Sequence, residues 1–235
     1  MSDLVSHLDE LRKRVFVCLI TFAAATFISC FFSRHILDFL TWPLRHYTQT
    51  ALYFQKPHEA FFVSFKAAAF SGFFFSLPVI LTQGWGFFSP ALYGHEKKWF
   101  FPVVLASTLL FFIGAIFAYT LVIPFGLQFL LSFQTESLKP ILDVASYISF
   151  LTGMLLAFGI LFDFPVILIG LVKLGVVSSK TLAKSRRIAV VFIFIAAAIL
   201  TPSPDPFSQC LLAFPLILLF EISLFISARI ENKKS

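Results

Sequence analysis

Carboxylates that lie within or beside long apolar runs are the residues of this 235-residue chain best placed to do chemistry. Asp163 is the clearest case, because it follows nineteen uncharged residues and precedes the apolar run 164–172. An Asp at the centre of a membrane costs about 2.5–3.5 kcal/mol to insert, so such a residue is by default a candidate for handling an ion or a substrate. The alternative is a protonated or partnered carboxyl group that packs between helices and serves structure alone.

Glu10 and Glu96 stand beside apolar runs rather than inside them. Glu10 belongs to the charged segment 7–14, and Glu96 belongs to the segment 90–98. Taken alone, each of these two carboxylates is typical of an ordinary solvated charge. Arg12 and Lys13, two and three residues after Glu10, are also close enough in sequence to neutralise it locally.

Polar groups near the two ends of the last apolar run have simpler explanations. Glu221 lies about two turns from one end, which favours a carboxylate that extends to the membrane interface. Gln209 lies at the other end, where a polar side chain is able to hydrogen-bond another helix.

The motifs of known catalytic sites are missing from the sequence. It contains no Gly-x-Ser-x-Gly elbow, no His-Glu-x-x-His and no P-loop. All five His fall in loops or near interfaces, and the three Cys sit in apolar runs without the spacing of metal ligands. We therefore expect neither an enzyme nor a cofactor or metal site.

The composition identifies the elements that must position these residues. Apolar residues make up 59% of the chain and charged residues only 13%, about half the share in soluble domains. Thirty-four Phe are far more than one soluble core can bury. These values exclude a soluble enzyme, a disordered chain and a disulfide scaffold, and they indicate a polytopic membrane protein.

The apolar runs predict an all-α fold with six transmembrane helices in a single domain, 1–235. The predicted spans are 15–33, 67–88, 100–123, 145–172, 188–201 and 207–227. Pro124 predicts that the third helix bends there into a loop or an interfacial segment. The thirteen residues 188–200 rise only about 20 Å as a helix, against a hydrocarbon core of about 30 Å, so we expect local thinning of the bilayer there.

A cleaved secretory signal peptide is the alternative interpretation of the first apolar run. It is disfavoured because Asp3, Asp9 and Glu10 precede the run, where a signal peptide carries basic residues. The run also continues well past Ala23–Ala25, the segment that resembles a cleavage site.

The distribution of Lys and Arg predicts that both termini are cytoplasmic. The chain ends and the second and fourth loops carry 13 of these residues, whereas the other loops carry 5. The net charge of +6 is thereby explained as a topology signal, and nucleic-acid binding is not expected. The first outside loop, 33–66, is expected to fold over the helix bundle.

Several motifs, taken in order, resemble the C subunit of the twin-arginine protein translocase (the TatC family), and the resemblance runs nearly the whole length of the chain. The motifs are His7-Leu8-x-Glu10-Leu11-Arg12-x-Arg14, Trp42-Pro43-Leu44, Phe87-Phe88-Ser89-Pro90-Ala91-Leu92-Tyr93-x-His95-Glu96, Phe158-Gly159-x-x-Phe162-Asp163-x-Pro165-Val166 and Thr201-Pro202-Ser203-Pro204-Asp205-x-Phe207-Ser208-Gln209. Each is weak alone, whereas their order and spacing on six helices make the match specific.

The resemblance implies a concave bundle in the cytoplasmic (inner) membrane that exports folded proteins with the proton-motive force. It also implies a receptor for signal peptides with two consecutive arginines, which contact Glu10 and Glu96 and are supported by Arg12 and Phe87. Two guanidinium groups pair well with two nearby carboxylates, in bidentate contacts that Lys does not reproduce.

The same resemblance implies partners and further site residues. Two single-span proteins, the A and B subunits, would dock on the last two helices near Thr201 and Gln209, with Pro43 as another partner-docking position. Asp163, Asp205 and Gln209 are the implied polar residues within the membrane. Membrane lipid surrounds the chain, and several receptor complexes are expected to assemble into an oligomer.

Two departures from the family pattern affect these implications. The family usually carries Glu where this chain has Asp163, which keeps the charge but shortens its reach by one methylene. The Thr201–Pro206 turn is also one residue longer than the usual Thr-Pro-Pro-Asp form, which bears on Thr201 as a contact residue.

A secondary transporter for a small solute is the alternative function, with Asp163 as its ion site. Such folds often show paired broken helices in their two halves, and no matched pair is visible in this sequence. A membrane-embedded enzyme is disfavoured by the missing catalytic motifs.

Overall fold

The computed structural model describes residues 2–48, 52–88, 100–132, 142–173, 175–200 and 206–234. Nearly all of these residues are helical, which confirms the predicted all-α class. The helices are α1 (Ser2–Phe31), α2 (Ser33–Thr48), α3 (Glu59–Phe88), α4 (Phe100–Phe117), α5 (Ile123–Ser132), α6 (Val144–Lys173), α7 (Ser179–Lys184), α8 (Arg186–Leu200) and α9 (Pro206–Lys234). A π-helical turn, Ala118–Val122, joins α4 to α5. Two short strands, β1 (Leu52–Tyr53) and β2 (Leu142–Asp143), pair in parallel.

The chain divides into two compact units, and the first comprises Met1–Trp42, Ala51–Thr108 and Ile141–Thr152. Its main contact is the packing of α1 against α3. A Cβ atom on Gly72 would lie 2.6 Å from the amide nitrogen of Thr26 and 2.7 Å from its Cα. Glycine is therefore needed at this crossing, because small residues let two helix backbones approach closely in a membrane.

Glu59 ties the first turn of α3 to its surroundings in the first unit. Its Oε2 accepts hydrogen bonds from the amides of Gln55 at 2.7 Å and Lys56 at 3.1 Å. Its Oε1 accepts a third from the amide of Ala145, at 3.2 Å, in the first turn of α6. The buried carboxylate thus joins the starts of two long helices beside the strand pair.

The second unit comprises Pro43–Thr50, Leu109–Pro140 and Gly153–Ser235. Gly114 of α4 meets α6, where an added Cβ would lie 2.7 Å from the Cβ of Phe162. The Phe117 ring packs on Phe158 and Phe162, with ring centroids 5.9 and 5.4 Å away. Close backbone approach and aromatic packing together join α4 to α6 in this unit.

The structure contradicts a loop directly after Pro124, whereas the predicted bend and an interfacial position of the segment that follows stay predictions. The helix continues through Pro124 to Ser132 as α5, and the apolar stretch Phe101–Phe129 forms one candidate span. Pro124 lacks an amide hydrogen, and its ring would clash with the carbonyl of Thr120 in a regular α-helix. The π-helical turn just before it widens the backbone and removes that clash, so the helix does not break.

Five described helical stretches are long and apolar enough to cross a membrane: Leu8–Phe31, Glu59–Phe87, Phe101–Phe129, Val144–Lys173 and Leu212–Glu231. The predicted fifth span, 188–201, corresponds to α8, which is not among these five stretches and whose 15 residues rise only about 22 Å. The predicted bounds are close for α6, whereas α3 begins earlier, at Glu59, and α9 continues to Lys234. The crossing of the membrane by α8 and the cytoplasmic position of both termini stay predictions.

Candidate binding site at the ends of α1 and α3

Glu10 is held by a neighbouring cation at the first turns of α1. Arg14, one helical turn further along, donates from Nη2 at 2.6 Å and from Nε at 3.0 Å to the Oε1 atom of Glu10. The two side chains remain 25% (Arg14) and 36% (Glu10) exposed. The carboxylate is therefore positioned and partly neutralised, yet still accessible from solvent.

Arg14 also links this turn of α1 to the last turns of α3. Its Nη1 lies 3.4 Å from Oε1 and 3.5 Å from the backbone oxygen of Gln83. A Cβ atom on Gly86 would lie 3.1 Å from Cζ of Arg14, so this glycine leaves room for the guanidinium. The arginine thus fixes Glu10 relative to the end of α3.

The other predicted residues of this site are arranged around the same two helix ends. Arg12 is exposed, and its Cζ lies 6.0 Å from the centroid of the Phe16 ring. Phe87 is half-buried in the last turn of α3. Glu96 lies outside the described residues. The structure therefore brings Glu10 and the end of α3 together, and the position of Glu96 stays a prediction.

The surface at this helix end carries charges of both signs. Asp9, Arg12 and Lys13 are exposed around the partly buried Glu10–Arg14 pair. An arginine side chain from a binding partner would meet Glu10 only in competition with Arg14. Because the Glu10 carboxylate is accessible and its present partner can be displaced, the arrangement can bind a guanidinium group reversibly.

Asp163 lies within α6 and is buried, with only 8% of its surface exposed. Its neighbour Phe162 packs on the Phe117 ring in the second unit. Burial of an ionisable residue in a membrane-spanning helix agrees with the predicted position, while its role remains untested.

The predicted partner-docking residues differ in what the structure shows of them. Gln209 of α9 donates from Nε2 to the backbone oxygen of Phe194 in α8, at 2.9 Å, so the expected hydrogen bond between helices is present. Pro43 is fully buried inside α2. Thr201 and Asp205 lie outside the described residues. The docking role of all these positions stays a prediction.

Sequence reasoning missed the polar cluster formed by Glu59 and Asp143. Asp143 precedes α6 and accepts hydrogen bonds at Oδ2 from the amide of Ser146 at 2.8 Å and its hydroxyl at 2.6 Å. A hydrogen bond with the Glu59 side chain, followed by those from Ser146, lowers the pKa of Asp143 to about 2. The Asp-x-x-Ser spacing before an apolar run was a readable capping signal, whereas the distant contact to Glu59 was not.

Arg14 was the second omission from the predicted site. Its position four residues after Glu10 is the spacing at which opposite charges meet on a helix, so this pair was readable from the sequence. Among the residues that the structure describes, no group of three His, Cys, Asp or Glu side chains could hold a metal ion.

Comparison with known proteins gives consistent matches over almost the whole chain. The sequence model of the family described as "Sec-independent protein translocase protein (TatC)" matches residues 6–215. A relative of that name from Magnetococcus marinus is 40% identical over 237 residues, covering 100% of this chain and 87% of the relative. Another of that name from Aquifex aeolicus is 41% identical over 98% of this chain and 97% of the relative.

Two solved structures are similar to the fold. A crystal structure described as the twin-arginine translocase receptor TatC has a TM-score of 0.80 and 39% identity, covering 96% of this chain and 99% of that one. A second structure of that receptor, in the detergent DDM, has a TM-score of 0.81 and 40% identity, covering 94% of this chain and 99% of that one.

Proposed function

This chain belongs to the TatC family of Sec-independent protein translocases, and from that premise we propose that it is the signal-peptide receptor of a twin-arginine translocase. As a family member it is a multi-pass membrane protein and a subunit of a protein-transport complex. The proposal adds its ligand, its site and its energy source. The ligand is a signal peptide with two consecutive arginines, on a folded protein bound for export.

The observation that carries the proposal is the position of Glu10 beside the last turns of α3. A carboxylate that is 36% exposed and held by Arg14 can exchange one guanidinium partner for another. The chain segment that follows α3 contains Glu96, which would supply the second carboxylate for the second arginine. Two such pairs, with bidentate geometry, distinguish arginine from lysine.

The remaining parts of the proposal follow from the family and the charge pattern. The chain lies in the cytoplasmic membrane with both termini on the cytoplasmic side, and the proton-motive force drives transport. Single-span A and B subunits dock near Thr201 and Gln209, and several receptor complexes assemble together. Transport of this kind requires no catalytic residue, cofactor or nucleic acid of this chain.

Equilibrium binding of a labelled twin-arginine peptide to the detergent-solubilised protein tests the proposed site. Glu10→Ala and Glu96→Ala should each weaken binding, since a lost charge-assisted contact costs about 1.5–3 kcal/mol, or about ten- to a hundredfold in affinity. Binding should also weaken with salt. Asp9→Ala, which removes an exposed charge next to Glu10, serves as the matched control. Unchanged binding by the Glu10→Ala, Glu96→Ala double variant would refute the site.

The alternative of a solute transporter with an ion site at Asp163 is not favoured by family membership. Uptake of a small solute by the purified chain in vesicles would be needed to support it. The contribution of the buried Asp163 carboxyl group to export is tested by replacing it with Asn and with Lys.

A further inference from the structure

The guanidinium group of Arg14 lies in a slot between α1 and the last turns of α3, where each of its three nitrogen atoms faces an acceptor. Nε and Nη2 donate to Oε1 of Glu10 on α1. Nη1 donates to the side-chain and backbone oxygens of Gln83 on α3, at the longer distances of 3.4 and 3.5 Å. Only 25% of the Arg14 side chain is exposed, so the slot holds this cation largely out of water.

The wall of the slot on α3 depends on a glycine. Gln83 and Gly86 are three residues apart and therefore lie on one face of the helix. A Cβ atom on Gly86 would meet Nη1 of Arg14 and would lie 3.1 Å from its Cζ and 3.4 Å from its Nη2. A Cβ atom on Gly84 would meet nothing within 4 Å. The guanidinium group thus lies against α3 at Gly86, where any larger residue would occupy its place.

The geometry of this guanidinium slot, formed by Glu10, Gln83 and Gly86, favours arginine over lysine. Its acceptors belong to two different helices and are reached by different nitrogen atoms of one planar group. A guanidinium group carries five N–H donors in a fixed fork, whereas the ammonium group of lysine is a compact point charge. A lysine that contacts Glu10 therefore cannot lie flat on Gly86 and reach Gln83 in the same way.

Arg14 does not use all of the hydrogen-bonding capacity of Glu10. Both of its contacts are to Oε1, and Oε2 accepts no hydrogen bond from the residues that the structure describes. Arg14 approaches from the next turn of the same helix, which restricts its geometry. An arginine from another chain is not tied to α1 and can approach both carboxylate oxygens in a bidentate contact. Exchange of one arginine for the other is therefore chemically reasonable.

We propose that the guanidinium slot binds one arginine of the signal peptide in place of Arg14, with Gln83 as a further residue that selects arginine. The inference rests on the proposed function and adds to it a binding residue and a form of the site that the receptor fills with its own side chain. A lone cation must displace Arg14 for a single contact. A peptide with a second arginine gains another contact, which drives the exchange.

Gly86→Ala distinguishes this proposal from simple competition by Arg14. The three atoms nearest to the added Cβ all belong to the flexible end of Arg14, so the substitution expels that side chain while the helices stay in place. If Arg14 only competes for Glu10, its expulsion should tighten the binding of a labelled twin-arginine peptide to the solubilised full chain.

If the peptide needs the slot, Gly86→Ala should weaken binding about two- to tenfold, the loss expected for one or two modest hydrogen bonds. Gly84→Ala, two residues away in open space, is the matched control and should change nothing. Unchanged or tighter binding in Gly86→Ala would overturn the proposal.

Gln83→Met tests the selection of arginine, because methionine keeps the length of glutamine and removes its acceptor oxygen. Affinity for the twin-arginine peptide should fall about two- to fivefold, since the contact to Gln83 is long. Affinity for a matched peptide with two lysines should stay the same. No change for either peptide, or equal changes for both, would show that Gln83 does not select the guanidinium group. Like Gly86→Ala, this variant retains Arg14 and its bond to Glu10 is not altered directly.

A measurement without peptide distinguishes failure of the slot from failure of the proposed function. Arg14→Ala removes the native guanidinium group, so added methylguanidinium should raise the melting temperature of this variant by about 2–4 °C at a few times its dissociation constant. Methylammonium at equal ionic strength should not, and the two ions should act alike on the parent protein, where Arg14 fills the slot.

Equal action of both ions on Arg14→Ala, with peptide binding that still depends on Glu10, would overturn the slot and leave the proposed function standing. A clear preference for methylguanidinium, with peptide binding that does not depend on Glu10 or Glu96, would refute the proposed function and with it the exchange of Arg14 for a peptide arginine.

Discussion

Replacement of Arg14 by Gln should strengthen the binding of a twin-arginine peptide. In the structure Arg14 occupies Oε1 of Glu10 through two nitrogen atoms, at 2.6 and 3.0 Å. The incoming guanidinium must displace this contact, so the free energy of the Glu10–Arg14 pair is subtracted from the free energy of binding. Glutamine keeps much of the length of arginine and removes the charge.

The size of the effect follows from the exposure of the pair. With 25% and 36% of the two side chains exposed, the pair resembles an ordinary surface ion pair on a helix, worth about 0.3–1 kcal/mol. Its loss should tighten peptide binding about two- to fivefold. In a Glu10→Ala background the substitution should have no such effect, because the competing contact is already gone.

Fluorescence anisotropy with a labelled peptide, at low and high salt, measures all four proteins of this double-mutant cycle. Lys13→Gln is the matched control, since it removes an exposed cation one residue away that is not bonded to Glu10. An equal gain from Lys13→Gln would show that only the general charge of the surface matters. A loss of binding in Arg14→Gln as large as in Glu10→Ala would show that Arg14 positions Glu10 rather than competing for it. Either result would refute the reasoning.

Three further predictions concern packing, pH and the buried carboxyl group. Gly72→Ala should lower the melting temperature in detergent, because the added Cβ would lie 2.6–2.7 Å from the Thr26 backbone and overpacking costs about 1–3 kcal/mol. Gly84→Ala in the same helix has open space around it and should be neutral or stabilising. Equal melting temperatures of the two variants would contradict the close crossing of α1 and α3. The pKa of Asp143 is lowered from 3.8 to about 2, so the stability that its charged form contributes is complete above pH 3.8 and is lost as the pH falls through about 2. The melting temperature of Asp143→Asn should therefore fall less between pH 5 and 2 than that of the parent protein. Equal falls in the two proteins would contradict a stabilising role of the Asp143 carboxylate at the start of α6. Asp163→Asn should retain more export than Asp163→Lys at equal protein levels, since a buried carboxyl group tolerates loss of charge better than reversal; equal loss in both would indicate a required negative charge.

The sequence predicted best what depends on local composition. The bounds of α6, Val144–Lys173, lie within one residue of the predicted span 145–172 because charged residues, Asp143 and Lys173, stand at both ends of the apolar run. The contact of Glu10 with Arg14 was equally readable from its spacing of four residues. The link from Arg14 to Gln83 was not, because it joins residues 69 positions apart and depends on how two helices pack.

Two other structural features could not be predicted from the sequence, for physical reasons. Pro124 was interpreted as a bend into a loop or an interfacial segment because the usual rule assumes a regular α-helix, and no sequence signal marked the π-helical turn that precedes it. Glu59 fell within the predicted outside loop 33–66, and no sequence signal linked it to the amide of Ala145, which completes its hydrogen bonding from 86 residues away.

The hydrogen bonds of Glu59 also bear on the order in which the chain is assembled during synthesis. Helices α1 and α3 are adjacent in the first unit and can pack as soon as residue 88 has been inserted, but that unit also requires Ile141–Thr152. Until α6 enters the membrane, Glu59 has only its local amide donors and Lys66 lacks its 2.6 Å contact with the Ser149 hydroxyl. A nascent chain halted between α5 and α6 therefore carries an incompletely satisfied carboxylate at the start of α3. In the completed chain the same carboxylate is buried and accepts its third hydrogen bond from the amide of Ala145.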